Sequence, residues 1–93
     1  MRIIGHIEHP ILKITVFKMD NRLSVKLEDG MYEQTYKFRM DDRIQHMADI
    51  RQIVDDEFIR TAEKFMGNMH DLKLDAMKRG LPPEPEEAFE KII

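Results

Sequence analysis

Two turn signals, "KMDNRL" and "LEDGMY", each sit between segments in which apolar and polar residues alternate. This combination constrains the fold more than any other feature of the chain. A two-residue turn between alternating segments makes a hairpin, and two in succession make a meander. Asp29-Gly30 is the stronger signal, because a type I′ turn needs positive φ at both central positions. Asp20-Asn21 tolerates the same geometry.

The turns predict a register. A loop at 20–21 pairs Phe17 with Ser24, Val16 with Val25, Ile14 with Leu27 and Lys13 with Glu28. A loop at 29–30 pairs Leu27 with Tyr32, Lys26 with Glu33 and Leu23 with Tyr36. The two registers are independent, yet both place Leu23, Val25 and Leu27 on one face. A one-residue slip would turn every side chain over. The inner face then holds Leu12, Ile14, Val16, Tyr32, Tyr36, Phe38 and Met40 as well. A tight turn at His9-Pro10 would add a first strand, with Ile7 opposite Leu12 and Ile3 opposite Val16. That strand puts Ile3, Gly5 and Ile7 inside and leaves the apolar Ile4 outside, a blemish in the pattern.

Beyond residue 40 the period changes. Asp42 with Gln45 resembles a capping box. At 100° per residue, Ile44, Met47, Val54, Phe58, Ala62, Phe65, Met69, Leu72 and Ala76 fall within one arc of about 80°. On the opposite side Asp42, Asp49, Asp56 and Glu63 recur every seventh residue. Successive members are about 10 Å apart on a helix, too far to share a cation, so they read as a solvated face. A continuous helix over 42–79 would be about 57 Å long, against about 24 Å for the strands. Gly67 suits a helix end and Asn68 a helix start, so the simpler expectation is a break there. If the helix is continuous, the segment around it becomes a contact with a second copy. "KRGLPPEP" ends the helical part, and "PEPEEAFEKII" reads as a short helix with Phe89, Ile92 and Ile93 along one edge.

The chemistry suggested by the sequence is sparse. The chain has 93 residues, no cysteine, four glycines and a single serine. It shows no phosphate-cradling loop, no zinc-protease or calcium-loop pattern and no nucleophile elbow. Net charge is −3, but residues 1–40 carry seven Lys/Arg against five Asp/Glu, while residues 41–93 carry eight against thirteen. "GHIEHP" is the one crowding of potential ligands. His6 and Glu8 share the outer side of the first strand and His9 falls in its turn, making these three the candidates for a metal or acid–base site. The outer sheet face supplies a second candidate. Lys13, Phe17, Arg22, Lys26, Lys37 and Arg39 form a basic surface with an aromatic, physically like platforms that stack single-stranded nucleic acid. Glu8, Glu28 and Glu33 lie on the same face and oppose that reading through cross-strand ion pairs.

These observations predict an α+β fold. A four-stranded antiparallel meander spans about 2–8, 11–19, 22–28 and 31–40. One long or two shorter amphipathic helices, about 42–66 and 69–79, pack on one sheet face, and a short helix covers about 85–92. A chain this short makes one domain over 1–93, with the meander in 1–40, the helical part in 41–80 and a Pro-rich link and tail in 81–93. The expected role is a non-enzymatic interaction or assembly module, a homodimer in the cytoplasm, with no cofactor and no membrane span. Phe65, Met69, Leu72, Met77, Phe89, Ile92 and Ile93 are the expected self-association residues. An unknown protein partner is one alternative. Others are nucleic-acid binding by the basic face and a small metal-dependent or acid–base enzyme at His6, Glu8 and His9.

Overall fold

The computed structural model describes residues 1–83. The expected helix over 85–92, and with it Phe89, Ile92 and Ile93, lies outside the described residues. Four strands, β1 (Arg2–Ile7), β2 (Lys13–Met19), β3 (Arg22–Asp29) and β4 (Tyr32–Arg39), form an antiparallel sheet in the order β1-β2-β3-β4. Helices α1 (Met47–Ile53) and α2 (Asp56–Gly80) follow, giving the α+β fold that the two hairpins and the change of period predict.

The β2–β3 register is the one set by the Asp20-Asn21 loop, with Ile14 opposite Leu27, Val16 opposite Val25 and Phe17 opposite Ser24. The next hairpin differs by two residues. Asp29 pairs with Tyr32, so the loop is Gly30-Met31, and Val25 faces Tyr36 where the Asp29-Gly30 turn would have placed Gln34. The reason lies in the turn. Asp20 and Gly30, each the first of its two loop residues, have φ of 54° and 60°, and no other described residue has positive φ. That is the φ pattern of a type II′ turn, which places glycine first. A shift of two leaves every side chain on its expected face, because the pleat also has a period of two.

The first strand corrects the reading of its own blemish. A bulge between Ile3 and Gly5 inserts Ile4 as an extra residue; beyond it Gly5 pairs with Val16 and Ile7 with Ile14, whereas before it Ile3 pairs with Phe17 and Arg2 with Lys18. A bulge changes the parity of a strand. Ile4 therefore packs against the core, while Ile3 moves to the outer side and is 55% exposed. Met47 lies over Gly5, where an added Cβ would stand 2.7 Å from its Sδ.

The helical part departs furthest from expectation. The helix does not start at Asp42. Instead Asp41 accepts from the Arg43 and Ile44 N–H groups in a turn, and α1 begins after His46, where Asp49 accepts from the N–H groups of Gln45 and His46 at 2.9 Å each. The break falls at Val54-Asp55, not at Gly67-Asn68. Asp55 accepts from the Phe58 N–H at 2.9 Å, Asp56 and Glu57 occupy the positive first turn, and Lys78 and Arg79 the negative last one. Through Gly67 the helix is unbroken. A mid-helix glycine costs roughly 0.5–1 kcal/mol. Burying a methionine gains roughly 1.5–3 kcal/mol, and continuity keeps Met66 buried and Met69 partly buried on the same side.

The core joins Leu12, Ile14, Val16, Leu23, Val25 and Leu27 of the sheet with Ile50, Val54, Ile59, Ala62 and Met66. α1 packs along β1 and α2 along β4. Among the described residues no helix is long and apolar enough to cross a membrane.

Candidate functional site

Each expected site can be rebuilt from its residues. In "GHIEHP", His9 closes the corner itself. Its Nδ1 accepts from the N–H groups of Ile11 at 3.2 Å and Leu12 at 3.0 Å. A nitrogen that accepts carries no proton, so in neutral His9 the proton sits on Nε2. Nε2 lies 3.3 Å from Oε1 of Glu63 on α2. Both ring nitrogens are therefore committed to holding the corner and tying it to the helix. His6 stands opposite Thr15 on the outer side, away from α2, and its backbone carbonyl accepts from Arg51 at 3.1 Å. Glu8 is exposed at the strand end. His6, Glu8 and His9 are not brought together, and no group of three potential ligands converges among the described residues.

The outer face resolves into rows. One crosses the sheet as His6, Thr15, Lys26 and Thr35, and the next as Ile3, Phe17, Ser24 and Lys37. Towards the β3–β4 turn the charges are balanced. Lys26 lies 3.8 Å from Glu28 and 3.3 Å from Glu33, and Lys13 stands opposite Glu28. At the other end Arg22 faces Arg39 directly, with Lys37 nearby. So the six residues of the expected platform divide. Lys13 and Lys26 lie in the neutralised half, and Arg22, Lys37 and Arg39 make a compact cationic end next to the half-buried Phe17.

The third surface belongs to α2. Its buried residues, Ile59, Ala62 and Met66, centre about 70° around the helix from the expected arc. The sheet covers that flank and leaves the other open. Phe65 is 48% exposed, Leu72 66% and Met77 44%, while Met69 is partly buried. Beside Phe65 an open groove of about 300 Å³ runs between Tyr36, Phe58, Thr61 and Ala62, with Asp55 and Glu57 at its rim. From His70 to Pro83 every residue except Lys73 is exposed, because the helix has passed the last rung of the sheet. Three contacts steady it there. The Tyr32 hydroxyl lies 2.7 Å from His70 Nδ1, the two rings meet edge to face, and the Lys73 ammonium sits 5.5 Å from the centre of the Tyr32 ring.

Two pairings, His9 with Glu63 and Tyr32 with His70, were not visible in the sequence. Their members are 54 and 38 residues apart, and no local pattern signals such a meeting. Searches of protein-family models, of curated proteins and of solved structures return no match to this chain.

Proposed function

We propose that this chain is an assembly module that associates with a second copy through the open flank of α2. The observation that carries the reading is the exposure of Phe65 and Leu72 beside Met69, on a helix that outruns its own sheet. Apolar edges of this kind call for a cover. The charge along α2 supports a second copy as that cover. Its first turn is acidic and its last turn basic. An antiparallel pair related by a two-fold axis near Gly67-Asn68 sets Lys78 and Arg79 of one copy beside Asp55, Asp56 and Glu57 of the other, twice over. Burying a Phe or Leu fully stabilises by about 1.5–3 kcal/mol, and these side chains are already partly covered. Association costs at least about 4 kcal/mol. The helix pair alone therefore supports weak association, and firm association needs a further contact.

Sedimentation equilibrium of the full chain tests the reading. The wild type is expected to dimerise at micromolar concentration. Leu72→Lys and Phe65→Lys are expected to be folded monomers, with unchanged circular dichroism. A monomeric wild type at high micromolar concentration defeats the proposal.

A second reading rests on the cationic end of the sheet, where Arg22, Lys37 and Arg39 beside Phe17 suit single-stranded nucleic acid. It predicts binding that weakens steeply with salt.

A further inference from the structure

The cationic end of the sheet carries an unresolved cost. Arg22 and Arg39 are a directly opposed cross-strand pair, with Lys37 two residues along β4 on the same face. Like charges so placed repel. Elsewhere on the sheet the chain answers this with carboxylates, as Lys26 shows with two. At this end none of the cations has a carboxylate within 4.0 Å among the described residues. Next to them Ile3 and Phe17 form an apolar pair, with Ile3 more than half exposed. The surface is thus cationic with an apolar centre, and its complement is an acidic segment carrying a large apolar side chain.

The chain contains one. Residues 84–93 hold four glutamates against one lysine, together with Phe89, Ile92 and Ile93. We propose that the segment around Glu86, Glu87 and Phe89 docks in trans on Arg22, Arg39 and Phe17 of a second copy. The proposal rests on the self-association reading and names the further contact that reading needs.

Reach decides between cis and trans. α2 runs antiparallel to β4, with Phe58 against Tyr36, Ala62 accepting from Gln34, and His70 against Tyr32. Its C-terminus therefore leaves the sheet at the Met31 end, away from Arg39. The eight residues from Met31 to Arg39 span about 27 Å, and the helix from Lys73 to Gly80 adds about 10 Å. Glu86 is six residues beyond Gly80 and reaches at most about 22 Å. It cannot arrive at Arg39 of its own chain. In the antiparallel pair the end of one α2 lies beside the start of the other, next to Tyr36 of β4. Lys37 and Arg39 are then one to three residues away along an edge strand, within that reach.

Sedimentation velocity of full-length variants at low and high salt tests this. Glu86→Arg with Glu87→Arg, and separately Arg22→Glu with Arg39→Glu, are each expected to weaken the dimer about tenfold, roughly 1.4 kcal/mol. All four changes together are expected to restore it, which a merely misfolded variant could not do. Added salt is expected to weaken the wild type more than the single-sided variants, which keep only the charges along α2. If both charge reversals leave the dimer unchanged while Leu72→Lys dissociates it, the tail contact is wrong and self-association stands. A wild type that stays monomeric removes both. If Arg22→Glu with Arg39→Glu abolishes binding of a fluorescent oligo-dT and spares the dimer, the cationic end serves nucleic acid and the inference falls.

Discussion

Gly30 shows how much one residue decides. With φ of 60° it is the first loop residue of the β3–β4 turn, and a Cβ built there would meet no heavy atom within 4 Å. Any cost of substitution is then backbone alone. Gly30→Ala is expected to destabilise by roughly 1–2 kcal/mol in urea titration, and Gly30→Asn by less, since asparagine tolerates this region. Asp49 acts through charge. The N–H groups of Gln45 and then His46 hold its carboxylate below the ordinary value of 3.8. A carboxylate with a depressed folded pKa stabilises above the unfolded value, and that contribution disappears as pH falls through the lower folded one. Asp49→Ala is therefore expected to lower the urea midpoint at neutral pH, with the gap from wild type closing in acid below 3.8. A gap of constant size across that window would rule out the charge. Asp49 was legible as part of an acidic row but not as a cap, because that role depends on where the helix begins.

At the scale of the element, α2 offers a sharp contrast. Gly67 was readable as a helix end, where its φ would be positive and alanine would destabilise. In an unbroken helix the sign reverses, and Gly67→Ala is expected to stabilise by roughly 0.5–1 kcal/mol. A urea midpoint that rises on this substitution supports continuity, and one that falls restores the break. The strands were legible for the opposite reason. The faces of β2, β3 and β4 follow from alternation alone, and a register error of two residues at Gly30 does not disturb them. Only β1 resisted, because a bulge changes parity without a local signature. The apolar Ile4 on the supposed outer side was its one trace.

The molecule as a whole is set by the angle at which α2 meets the sheet. Phe65 and Leu72 lay within the expected core arc, yet Ile59, Ala62 and Met66 are the side chains that β4 covers. The expected arc takes its phase from Ile44, as one helix running throughout requires. The break at Val54-Asp55 discards that phase, and it also buries Ile50, which the continuous phase had placed off the arc. If the open flank meets a second copy, amide hydrogen exchange in 70–80 is expected to slow as concentration rises, while exchange in β2 and β3 stays the same. Uniform exchange at all concentrations would remove the evidence for a cover. The meander, the faces of three strands and the presence of an amphipathic helical half follow from local pattern, because pleat and helix periods are local and tolerate small errors. Which flank of α2 is covered, where the helices part and that His9 meets Glu63 follow from packing. Those outcomes depend on which surfaces compete for burial against one sheet, and that competition joins residues far apart in the chain.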